Sequence, residues 1–124
     1  MPFTSTLGVD VLREGLYDGS GTILRLTADS GLVIHTVAVP QEWDSPTGPT
    51  WIYVIENDGL TLIDAGSTIS VEALESAFKI LGLNLKNIRN VLLTHGHMDH
   101  AGGAYSLVKK TKADIWAHAL YKLL

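Results

Sequence analysis

Apolar and polar positions divide the chain into two kinds of segment. Residues 22–28 and 32–39 are rich in β-branched and aliphatic side chains and are separated by Asp29-Ser30-Gly31, a pattern that predicts a hairpin. A short strand is expected around Val9 to Val11, and another over residues 51–55. Asn57-Asp58-Gly59 is a strong turn signal, with a returning strand at residues 60–63. After that the period changes. Val71, Leu74, Phe78 and Leu81 recur at helical spacing, with Ser70 as the expected cap, Glu72 and Glu75 near the positive end and Gly82 just past the last turn. Residues 88–93 read as a buried strand. Ala104, Leu107 and Val108 mark a second helix, with Lys109, Lys110 and Lys112 at its negative end. A strand at 114–118 and a helix starting near Ala119 complete the expected elements.

Hairpins early and strand–helix–strand units late predict an α/β (α+β) fold, a sheet covered by helices on one face. The 124 residues suit one domain with a small core. Leu120, Leu123 and Leu124 form an apolar stripe with nothing after it to cover it. Residues 40–49 hold three of the four prolines, together with Trp43 and Gly48, and read as a loop entering the next strand.

Composition removes several function classes. The net charge of −4 argues against nucleic acid as a partner. No stretch approaches the length of a membrane span, and the start lacks a basic, then apolar, leader, so the cytoplasm is the default expectation. There is no cysteine, so any metal must take nitrogen and oxygen ligands.

Such ligands are concentrated in one place. Thr94-His95-Gly96-His97-Met98-Asp99-His100-Ala101-Gly102-Gly103 carries three of the five histidines and an aspartate within six positions. It follows the apolar run Val91-Leu92-Leu93, and so leaves the C-terminal end of a strand, where ligand sites collect in α/β sheets. On a helix His95 and His97 would diverge. In an extended turn alternate residues share a face, so His95, His97 and Asp99 can converge, while His100 points elsewhere and can serve a second metal. Gly102-Gly103 would free the exit from this loop of φ restriction.

This motif resembles the H-x-H-x-D-H signature of the metallo-β-lactamase superfamily. The similarity extends to Leu60-Thr61-Leu62-Ile63-Asp64-Ala65-Gly66, which looks like the family's strand ending in Asp-x-Gly, and to Ala113-Asp114-Ile115-Trp116-Ala117-His118, which resembles its next strand. The resemblance implies the N-terminal half of a four-layer αβ/βα sandwich, with the second half absent from these residues. It also implies a hydrolase in which a dinuclear zinc centre activates water for attack on an ester, thioester, lactone, amide or phosphodiester. His95, His97, Asp99 and His100 would be metal ligands, with iron or manganese as alternative ions, and Asp99 would also orient the attacking group or handle the leaving group's proton. The remaining ligands lie further downstream in the family. The expected partner is a small-molecule substrate, with a homodimer or the missing C-terminal half completing the fold. On this reading the 124 residues alone are inactive. Two other classes stay open: a mononuclear iron dioxygenase of the same fold, and a non-catalytic metal-binding fragment that needs a partner.

The remaining candidates have plainer readings. Asp64 is a turn-capping aspartate or a residue that orients a metal ligand, and the two roles can coincide. His35 alternates with Val33 and Val37 and reads as a surface or packed histidine. His118 ends a strand next to the motif but is not a family ligand. Trp43 and Trp51 read as core or loop anchors.

Overall fold

The computed structural model of the chain describes residues 8–41 and 48–119. Its strands form one seven-stranded sheet in chain order: β1 (Gly8–Arg13), β2 (Ile23–Thr27), β3 (Val33–Val39), β4 (Thr50–Glu56), β5 (Leu60–Ile63), β6 (Ile88–Leu92) and β7 (Asp114–Trp116). Neighbours from β1 to β5 are antiparallel, and β5, β6 and β7 run parallel. The connections explain the change. At Asn57-Asp58-Gly59, Asp58 has φ 49° and Gly59 φ 95°, the left-handed geometry that a tight hairpin needs. Parallel strands cannot be joined so tightly and require crossovers. These are α1 (Ser70–Leu81) between β5 and β6, and α2 (Met98–Ala101) with α3 (Ala104–Thr111) between β6 and β7.

Right-handed crossovers that step in one direction along a sheet lay their helices on the same face. Lys110 Nζ of α3 accordingly meets Glu75 Oε1 of α1 at 2.6 Å. The apolar stripe of α1 (Val71, Leu74, Phe78, Leu81) and Leu107 of α3 share one core with Val37, Val39, Ile52, Val54, Leu62 and Val91. Gly82 ends α1 with φ 71°, and its N–H is donated to the carbonyls of Phe78 and Lys79.

Ser70 does not cap α1. Ile69 occupies the cap position, and Ser70 begins the helix. The Ser70 hydroxyl instead accepts from the Ser67 N–H at 2.9 Å and donates to the Pro40 carbonyl at 3.2 Å, tying the turn after β5 to the end of β3. The last strand stops at Trp116 rather than at residue 118. The expected final helix with Leu120, Leu123 and Leu124, and Trp43 in the 40–49 loop, lie outside the described residues.

The far side of the sheet exposes Val11, Tyr53, Leu92 and Trp116, while Thr36 near its middle is buried. Register places Val11, Leu24, Thr36, Tyr53, Ile63, Leu92 and Trp116 in one row across all seven strands. Trp51 and Trp116 are 37% and 59% exposed. Trp51 is therefore a half-covered residue on this outer face rather than a core anchor.

His35 lies on the opposite, helix-covered face, paired across the ladder with Val54, and is 1% exposed. Its Nε2 meets Glu56 Oε2 at 2.8 Å. It is a packed histidine, far along the sheet from the motif. No helix among the described residues is long and apolar enough to cross a membrane.

Candidate metal centre

Strand direction decides where the chemistry gathers. The C-terminal ends of β5 and β6 reach the same edge because the two strands are parallel. β3 ends at that edge and β4 begins there, since each is antiparallel to its neighbour. Asp64 follows β5, the motif follows β6, Gln41 follows β3 and Thr50 opens β4.

Asp64 sits at the base of the site. It is buried and adopts φ 69°, a left-handed conformation uncommon for a residue with a side chain and typical of functional turns. Its N–H is donated to the Leu92 carbonyl, and the next N–H, from Ala65, to the His100 carbonyl at 2.7 Å. The carboxylate is fully used. Oδ1 accepts from the Thr94 N–H at 2.8 Å, the Thr94 hydroxyl lies 2.8–2.9 Å from both oxygens, and Oδ2 accepts from His100 Nδ1 at 2.8 Å. Asp64 therefore caps the turn and orients His100 at once.

The tautomers follow from these partners. A carboxylate only accepts, so His100 Nδ1 carries a hydrogen and its Nε2 is available as a ligand atom. The Thr94 hydroxyl spends its hydrogen on Asp64, so at 2.8 Å it accepts from His95 Nδ1 and leaves His95 Nε2 available too. Both rings are thus prepared by partners behind them, as in metal-ligating histidines.

The motif does not stay extended throughout. His97 is extended (φ −69°, ψ 148°) and starts α2, which carries Asp99 and His100 on a single helical turn. That turn brings His100 back instead of pointing it elsewhere: its ring lies 4.1 Å from the His95 ring, centroid to centroid, and His95 lies 4.6 Å from His97. Asp99 Oδ2 stands 3.3 Å from His100 Nε2. It also accepts from Thr50 Oγ1 at 3.1 Å and Gln41 Nε2 at 3.2 Å.

The close approach of His100 Nε2 to Asp99 Oδ2 tests whether a metal suits these residues. With Nδ1 as the donor to Asp64, His100 Nε2 faces the Asp99 carboxylate oxygen, a contact satisfied by a positive charge there, either a second proton on the ring or a metal ion between the two atoms. Two ligands on a tetrahedral zinc, each about 2.0–2.1 Å from the ion, stand about 3.3 Å apart. The donor set and this separation both fit the ion. Among the described residues no three or more His, Asp or Glu side chains are placed so as to hold one metal ion together. The structure thus brings His95, His97, Asp99 and His100 together as neighbours. His118 is exposed past the end of β7.

Three contributors were not legible beforehand. Thr94 stood within the motif, but nothing in its spacing marked it as the link between Asp64 and His95. Gln41 and Thr50 are 58 and 49 residues from Asp99 and carry no local signal. Gly102 and Gly103 also act differently from expectation. Gly102 and Gly103 have φ of −60° and −80°, so no left-handed freedom is used. The segment after Asp64 crosses them instead: a Cβ on Gly103 would lie 2.3 Å from the Ala65 carbonyl oxygen, and one on Gly102 3.3 Å from Ser67 Cα. These glycines let the two halves of the site touch.

Known proteins resemble this chain in sequence and in fold. Residues 45–123 match the family model described as the metallo-beta-lactamase superfamily. The probable metallo-hydrolase YqjP of Bacillus subtilis (strain 168) is 40% identical over 57 residues, 44% of this chain and 18% of that protein. The exodeoxyribonuclease YycJ of Bacillus anthracis is 34% identical over 67 residues, 54% of this chain and 25% of that protein. This stretch therefore spans a quarter or less of the length of either relative. Among solved structures, the subclass B3 metallo-beta-lactamase MEM-A1, from a soil metagenome library, superposes with a TM-score of 0.61 and 26% identity, covering 73% of this chain and 31% of that one. A family match over more than half the chain means that this chain belongs to the metallo-β-lactamase superfamily.

Proposed function

We propose that this chain carries the metal-binding core of a hydrolase, with His95, His97, Asp99 and His100 as ligands of a zinc centre that is dinuclear when the shell is complete. The observation that supports this best is the His100 ring held between two carboxylates, Asp64 at Nδ1 (2.8 Å) and Asp99 at Nε2 (3.3 Å). A bound zinc would supply a water of lowered pKa and polarise a substrate carbonyl or phosphoryl oxygen.

The chain's own residues do the positioning. Thr94 and Asp64 keep the Nδ1 hydrogens of His95 and His100 turned inward, so that both Nε2 atoms face the cluster. Asp99 offers the one carboxylate beside these rings that is not consumed in a turn. It is the group suited to orienting a water, or to taking a proton at its carboxylate oxygen and passing it to a leaving group. The remaining ligands, and the walls that choose between lactone, thioester, amide and phosphodiester, would come from outside these residues. That division fits the fraction of the relatives' length matched here. The range of relatives, from an exodeoxyribonuclease to β-lactamases, leaves substrate choice to those walls.

Calorimetric titration of the metal-free chain with zinc tests the reading. Saturable binding is expected, weak because the shell is incomplete, and lost in His100→Ala. A chain that takes up no zinc, or that binds equally well without His100, would overturn it. A panel of lactones, thioesters and phosphodiesters with added zinc should give no turnover by these residues alone.

A further inference from the structure

We propose that Gln41 and Thr50 are positioning residues for Asp99, a two-point clamp that aims its carboxylate at the cluster and so sets metal affinity. The inference rests on the metal-centre reading above and adds to it two residues outside the motif.

The donors and acceptors balance. The Thr50 hydroxyl lies 3.1 Å from Asp99 Oδ2 and the Gln41 side-chain nitrogen 3.2 Å from it, with 3.3 Å between Gln41 Nε2 and Thr50 Oγ1. Only a donor can face a carboxylate, so the amide nitrogen of Gln41 points inward. Its two hydrogens serve Asp99 and Thr50. Thr50 accepts one of these and gives its own hydrogen to Asp99, so no hydrogen in the triad is left over.

The clamp and its target differ in rigidity. Thr50 is buried and begins β4, where it pairs with Val39, and Gln41 lies two residues past the end of β3. Both are tied to the central ladder. Asp99 sits on α2, a helix of four residues whose N-cap, His97, makes no side-chain cap. A helix of one turn is too short to be stable alone. The direction of its carboxylate must therefore come from outside, and these are the side chains that hold it apart from His100. The alternative, two polar residues merely satisfying a half-covered carboxylate, predicts no effect on metal binding.

The test uses Co(II) as a spectroscopic probe, titrated into the full chain and followed by its visible absorption. Removing a partner behind a metal ligand commonly lowers affinity about 10–100-fold. Thr50→Val and Gln41→Leu should each weaken Co(II) binding by about tenfold or more, and the double variant should also change the absorption band, because Asp99 no longer holds its direction. Thr50→Ser restores the hydroxyl and should return affinity to within about threefold of the parent. Thermal unfolding of the metal-free variants separates positioning from folding. Should Thr50→Val fail to fold, Gln41→Leu, on a partly exposed residue, decides the matter. Parent-like affinity and spectrum in Gln41→Leu, or equal losses in Thr50→Ser and Thr50→Val, would overturn the clamp alone. A parent chain that binds no Co(II) would instead remove the metal-centre reading, and the clamp with it.

Discussion

Replacing Asp64 by Asn isolates one hydrogen and one charge. Asn tolerates the left-handed φ of 69° at least as well as Asp, so the backbone loses nothing. The side chain keeps its shape. Its oxygen can still accept from the Thr94 N–H, which leaves the NH2 group against His100 Nδ1, now 2.8 Å from the carboxylate. Two donors cannot share that contact, so His100 should change tautomer, with Nδ1 accepting and the hydrogen moving to Nε2. A charge-assisted hydrogen bond worth about 1.5–3 kcal/mol becomes a neutral one of about 0.5–1.5 kcal/mol, so stability should fall by roughly 1–1.5 kcal/mol. The functional loss should be larger in kind, because Nε2–H cannot bind a metal. Zinc affinity should drop about 10–100-fold, or roughly 1.4–2.7 kcal/mol. Urea unfolding gives the first quantity and calorimetry the second, while long-range proton–nitrogen correlation spectra of His100 report the tautomer directly. An Asp64→Asn variant that binds zinc like the parent, with His100 still protonated at Nδ1, would refute the reasoning.

Other perturbations probe the neighbouring links. Asp99→Ala should leave the fold intact but weaken zinc binding, and in a complete enzyme it should lower turnover by about 10²-fold or more, whereas His35→Ala, on the helix-covered face away from the motif, should leave metal affinity unchanged in the same titration. Gly103→Ala puts a Cβ 2.3 Å from the Ala65 carbonyl. The forced shift should cost about 1–3 kcal/mol in chemical denaturation and reduce zinc binding, because the displaced segment carries the Asp64 turn. Tyr53, Leu92 and Trp116 on the outer row leave apolar area in water at about 25 cal/mol per Å², so light scattering at micromolar concentration should find self-association. A Tyr53→Lys, Trp116→Ser double variant should disperse it, and a parent that stays monomeric would count against the need for a covering layer.

The sequence by itself determined most of the element types outside the motif, the family and the position of the cluster. Each of these is written locally: period-two apolar runs for β2 to β5, the left-handed Asn57-Asp58-Gly59 turn, the stripe of α1, and three histidines with an aspartate in six positions. Local pattern could not reach the contacts that make the cluster usable. The role of Asp64 depends on β5 and β6 ending side by side, so that a turn residue faces His100 36 positions away. Gln41 and Thr50 reach Asp99 only because alternating strand directions bring the end of β3 and the start of β4 to that same edge. Ser70 seemed free to cap its helix, but packing of the 65–70 turn against Pro40 took its hydroxyl elsewhere. His100 seemed to diverge until one helical turn brought it against His95. In each case a side chain has one set of hydrogen bonds to give. Which partner receives them is decided by through-space distance, which is fixed only once the sheet is assembled.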